Sequence, residues 1–132
     1  MFVARVAGNV EDAYILGSLE YATKVKGAQL IVVLGHNKCG AVNGAIDGVE
    51  LGNLTSLLNQ IKPAITVDSN GNKMRTANNT GRRNVQLTME RIHQKSPVLN
   101  ELMKEGKLKM IGAYYDVTSG KIYYEDDLGK WW

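Results

Sequence analysis

Leu30-Ile31-Val32-Val33-Leu34-Gly35-His36-Asn37-Lys38-Cys39-Gly40-Ala41-Val42 is the stretch that decides how this chain reads. Its first five residues are apolar and rich in β-branching, the composition of a fully buried parallel strand. Gly35 then allows a sharp turn at the carboxyl end of that strand, the edge where open α/β sheets place their sites. His36 and Cys39 fall just past the edge, and imidazole and thiolate are both preferred zinc ligands. They are the candidate metal ligands, expected to point into a common cavity. Only half a site is visible, because zinc centres ordinarily take at least three protein ligands. Cys39 is the single cysteine, and His93 is the one other histidine. The plainer alternative is a small buried cysteine beside a hydrogen-bonded histidine.

Working toward the amino terminus, residues 2–6 read as a short strand left by a turn at Gly8-Asn9. Glu11 and Asp12 lead into a helix whose apolar positions Ile15, Leu16, Leu19, Ala22 and Val25 recur at helical spacing, with Gly27 after its end. Strand, helix and strand in this order predict a right-handed βαβ unit with parallel strands. Toward the carboxyl terminus, residues 38–46 form the next helix, starting where the candidate ligands sit. Leu51, Leu54, Leu57, Leu58, Ile61 and Ile65 mark an amphipathic helix that Pro63 cuts short or kinks.

Residues 66–81 hold Asn70-Gly71-Asn72 and Asn78-Asn79-Thr80-Gly81 with few apolar positions, and read as a surface loop. Helical spacing resumes over 84–94 through Val85, Met89 and Ile92, with His93 beside that face as a surface residue. Ser96-Pro97 is a helix start, because serine caps free N–H groups and proline suits the first turn. Residues 108–115 form a second buried strand, and the turn at 116–120 leads into 121–125 as an antiparallel hairpin. Trp131 and Trp132 either pack on a partner or fray.

At 132 residues the chain fits one domain, 1–132, with 44% hydrophobic and 22% charged residues, as in ordinary globular proteins. No apolar run approaches the roughly 20 residues that span a bilayer, and no basic segment leads into a signal core. These features predict no membrane partner and a cytoplasmic location, and a lone cysteine agrees with a reducing compartment. The net charge is +3 and the pI about 9.0. Yet Arg82-Arg83 and the lysines of 104–109 are scattered among acidic and apolar residues, which argues against nucleic acid as a partner.

Read in order, Phe2-Val3-Ala4-Arg5-Val6-Ala7-Gly8-Asn9, Leu16-Gly17-Ser18-Leu19-Glu20-Tyr21-Ala22 and Leu34 to Val42 resemble the β-class carbonic anhydrases. So do Asn53-Leu54-Thr55-Ser56-Leu57-Leu58, Ile61-Lys62-Pro63-Ala64, Asn84-Val85, Ser96-Pro97 and Ile111-Gly112-Ala113-Tyr114-Tyr115-Asp116. The resemblance implies an α/β fold, with a parallel sheet core flanked by helices and a carboxyl-terminal hairpin. It also implies zinc-dependent, reversible hydration of carbon dioxide to bicarbonate, His36 and Cys39 as two zinc ligands, and assembly as a homo-oligomer, most simply a dimer. Family zinc lowers the pKa of bound water toward neutrality.

The family's first strand carries a Cys-x-Asp-Ser-Arg motif that supplies a zinc thiolate and the catalytic Asp-Arg dyad. The chain is expected to start after that strand, so no catalytic residue is assigned to it. In the family this strand lies between the two matched by 2–6 and 30–34. Its absence predicts that 2–6 pairs directly with 30–34 or that another subunit fills the gap. Slow turnover by this chain alone is expected, with a non-catalytic scaffold or interaction domain as the alternative.

Overall fold

A computed structural model describes residues 1–125, 130 and 131, so Trp132 lies outside the described residues. Helix α1 (Ala13–Glu20) starts at Asp12, whose carboxylate accepts from the Ile15 N–H at 2.8 Å. It widens into a π-helical segment, Tyr21–Val25, and the chain turns away at Gly27, where φ is 78°. Strand β1 (Leu30–His36) follows, then α2 (Gly40–Asp47) and α3 (Gly52–Ile61). Pro63 reduces the end of α3 to a 3-10 turn, Lys62–Ala64. Next come α4 (Lys73–Lys95), α5 (Pro97–Lys104), β2 (Lys109–Tyr115) and β3 (Ile122–Tyr124). Ser96 caps α5 as its sequence position implies, accepting from the Leu99 N–H at 3.2 Å.

The sheet runs β1-β2-β3, with β1 and β2 parallel from Leu30 opposite Lys109 to His36 opposite Tyr115, and β3 antiparallel to β2. One face packs on α4. Ile31 and Val33 of β1 join Leu16, Val85, Ile92, Leu99, Leu102 and Leu108 in the main core. Glycine sets how close the helix comes: a Cβ at Gly35 would lie 2.7 Å from Val85 Cγ2. Val10, Cys39, Val42, Ala45, Leu58 and Ile61 form a second core that joins α2 and α3 to the turn at Ala7–Asn9.

Four expectations are corrected. The strand read as fully buried is half buried, because the described helices cover one face of the sheet and Leu30, Val32 and Leu34 stand 51%, 45% and 48% exposed on the other. Gly35 does not turn the chain: it lies within β1, and the turn comes at Lys38, where φ is 52°. Residues 2–6 make no ladder. Phe2 instead rests edge-on against Tyr21 at 5.9 Å, and only Asn9, past the segment, lies beside Gly35 of β1.

The fourth correction concerns 66–81, where helix α4 begins at Lys73 with Asn72 as its cap, accepting from the Arg75 N–H at 3.0 Å. Its buried face there is polar rather than apolar. Thr80 Oγ1 accepts from the Thr66 N–H at 3.0 Å and Thr76 Oγ1 from the Asp68 N–H at 2.9 Å, so threonines hold the preceding loop where leucines would ordinarily mark a core. Gly81 completes the face, since a Cβ there would sit 2.7 Å from the Tyr114 hydroxyl oxygen. Gly81→Ala should therefore cost about 1–3 kcal/mol through overpacking. The expected readout is a lower urea midpoint at unchanged slope; an unshifted midpoint would remove Tyr114 as the constraint on this helix.

Candidate metal centre

His36 ends β1 on the uncovered face of the sheet and is exposed. Its Nδ1 lies 2.7 Å from the Asn37 carbonyl oxygen. A carbonyl can only accept, so Nδ1 donates to it, and Nε2 is the ring nitrogen left for a metal. Cys39 sits at the start of α2 and is 7% exposed, packed among the apolar residues of the second core. The turn between β1 and α2 thus holds both donors, but His36 faces water and Cys39 faces apolar side chains, so the common cavity expected of them is not what the structure shows.

Asn37 fixes that turn to the end of the neighbouring strand β2 and the turn after it. Its Nδ2 donates to Asp116 Oδ1 at 3.0 Å, its Oδ1 accepts from the Val117 N–H at 2.8 Å, and its own N–H donates to the Tyr115 carbonyl at 3.1 Å. Sequence reasoning passed over Asn37. Its signal was an amide inside the His-to-Cys spacing, the one side chain there able to donate and accept at once.

Asp116 is held below the usual carboxylate range, chiefly by the Thr118 N–H and further by Ser119 and Asn37, against a smaller opposing effect of burial. Because its folded value is depressed, its contribution is present above the unfolded value near 3.8 and is lost as pH falls through the folded one. Carboxyl NMR should place its midpoint below 3.8; a midpoint at or above that value would contradict the anchoring.

Tyr114, also passed over, projects from β2 toward α4 and is 3% exposed. Burial pushes its hydroxyl up to about 12; the Arg82 guanidinium opposes this, while Cys39 and Asp116 add to it. The phenol is therefore neutral at physiological pH and donates to Asn78 Oδ1 at 3.3 Å. Arg82 lies 5.3, 5.2 and 5.6 Å from the rings of Tyr114, Tyr123 and Trp131, so Trp131 packs within its own chain.

His93 is exposed, with Nδ1 3.0 Å from Asn100 Oδ1, as a surface histidine should be. Among the described residues no group of three or more His, Cys, Asp or Glu side chains could hold a metal ion. The donor chemistry of His36 and Cys39 suits zinc, but these two alone do not make a complete centre.

The model of a family described as carbonic anhydrase matches residues 1–122. Carbonic anhydrase 2 of Mycobacterium tuberculosis is 33% identical over 135 aligned residues, covering 98% of this chain and 65% of the relative. A carbonic anhydrase of Pseudomonas aeruginosa is 30% identical over 92% of this chain and 60% of its own length. Among solved structures, a tetrameric β-carbonic anhydrase from Sordaria macrospora superposes with a TM-score of 0.86 at 25% identity, covering 99% of this chain and 69% of that one. The chain thus spans less than two thirds of the curated relatives it matches.

Proposed function

Since the chain belongs to the β-class carbonic anhydrases, we propose that it carries the His36 and Cys39 half of a zinc centre for the reversible hydration of carbon dioxide to bicarbonate. The observation that supports this reading is the turn between β1 and α2, where a histidine whose Nδ1 is engaged by the Asn37 carbonyl and a cysteine stand three residues apart under the Asn37 anchor. Among the described residues no third His, Cys, Asp or Glu side chain joins these two in a group that could hold a metal ion. The chain alone therefore holds zinc weakly and turns over slowly. It acts as a cytoplasmic homo-oligomer, most simply a dimer, in keeping with the tetrameric relatives from Sordaria macrospora. No described helix is long and apolar enough to cross a membrane.

The rival reading is a non-catalytic scaffold or interaction domain, favoured by the exposed apolar row on β1. Stopped-flow carbon dioxide hydration separates the two. The chain supplied with zinc should be slow, and a chimera that adds the amino-terminal portion of the Mycobacterium tuberculosis relative should be orders of magnitude faster. Equal rates would overturn the incomplete-centre reading, and an inactive chimera would favour the scaffold.

A further inference from the structure

Every polar atom of Asn37 is engaged. Its N–H donates to the Tyr115 carbonyl at 3.1 Å, its Nδ2 donates to Asp116 Oδ1 at 3.0 Å, and its Oδ1 accepts from the Val117 N–H at 2.8 Å, while its carbonyl oxygen lies 2.7 Å from His36 Nδ1. The first three reach the end of β2 and the turn after it, and the last reaches a candidate metal ligand. Asp116 is itself fixed, because the same Oδ1 accepts from the N–H groups of Thr118 and Ser119 at 2.8 and 3.3 Å. The next residue, Lys38, has a left-handed backbone with φ at 52°, which a residue other than glycine keeps only where its surroundings enforce it. Cys39 follows as the residue before α2, so the placement of one donor relative to the other is decided at Asn37 and Lys38.

We infer that Asn37 is a positioning residue: held by Asp116 and Val117, it fixes the backbone that carries His36 and Cys39 and so raises their affinity for zinc. The inference rests on the two-donor reading above and deepens it by naming what organises the pair. His36 faces water and Cys39 faces apolar side chains, so a metal that takes both must rotate at least one of them. With the turn clamped, binding orders that side chain alone. With the turn loose, the backbone of 36–39 must be ordered as well, and the lost conformational entropy weakens binding.

Cobalt(II) titrated into the full chain tests this, because it accepts zinc's donors and gives a charge-transfer band when a thiolate binds it. The band reports ligation by Cys39, the single cysteine, and is read at full folding, where a loss of stability alone would not move it. Asn37→Ala should raise the cobalt dissociation constant about 10–100-fold, the range for groups that orient a metal ligand, at unchanged circular dichroism. Asn37→Asp should cost at least as much, since it sets a carboxylate against Asp116. Adding Asp116→Asn to it should recover most of the loss, because a donor again meets an acceptor with the direction reversed.

No band in the unmodified chain, or a band indifferent to His36→Ala, would sink the two-donor reading and this inference with it. A band that needs His36 and Cys39 but keeps its affinity in Asn37→Ala would sink the positioning role alone. A loss in Asn37→Asp that Asp116→Asn fails to recover would overturn the pairing with Asp116. Should the variants misfold, hydrogen exchange on the unmodified chain decides, since coupling between metal and clamp is reciprocal. Saturating zinc should slow exchange of the Val117 N–H and spare the Leu99 N–H, which Ser96 caps; a Val117 N–H indifferent to zinc would overturn the clamp.

Discussion

Glu11→Ala should destabilise the chain by about 3–5 kcal/mol, the cost of breaking a buried ion pair from one side. The Glu11 side chain is wholly buried and paired to Arg91 Nε, with Lys95 Nζ 3.0 Å away. Both cations lie near the end of α4, so the carboxylate ties the entry of α1 to the long helix. Arg91 is 16% exposed and cannot fully rehydrate when its partner is removed, whereas Lys95, 47% exposed, largely can. The loss is therefore carried mainly by Arg91. Urea unfolding gives the number, and a change below about 1 kcal/mol would mean that the pair contributes no more than an exposed one.

Much of the fold was legible because its signals are local. Ser96 caps α5, Asp12 caps α1, Pro63 ends α3 and the 116–120 turn makes the hairpin, each through bonds within a few residues. What was missed depends on partners far along the chain. α4 was lost over 73–81 because Thr76, Thr80 and Gly81 face inward there, and only Thr66, Asp68 and Tyr114 explain why they do. Leu30, Val32 and Leu34 carry the composition of a doubly covered strand, and composition cannot report that the second cover is absent among the described residues. Residues 2–6 have the β-branching of a strand, but a strand also needs a neighbour in register. At the site, His36 and Cys39 were readable as donor types at a suggestive spacing. Asn37 was not, because its role depends on Asp116 and Val117, 79 and 80 residues away.

The second large effect concerns Cys39. In the chimera that adds the relative's amino-terminal portion, Cys39→Ser should lower carbon dioxide hydration by more than about a hundredfold and abolish zinc retention with it. Losing a ligand must cost more than the 10–100-fold typical of the groups that merely orient one. Cys39 is also a core residue, and serine is nearly isosteric, so unchanged circular dichroism separates a lost donor from a lost fold. His93→Ala removes an exposed histidine on α4 and should leave rate and zinc nearly unchanged. A Cys39→Ser chimera that keeps its rate would exclude this thiol from the centre.

The proposal stands on His36 and Cys39 as two zinc donors that no third side chain joins among the described residues. Elemental analysis of the purified chain after dialysis against a mild chelator tests it most directly. Well under one zinc per chain should remain, and that residue should vanish in Cys39→Ser. One zinc retained per chain, with the content indifferent to Cys39, would contradict the account.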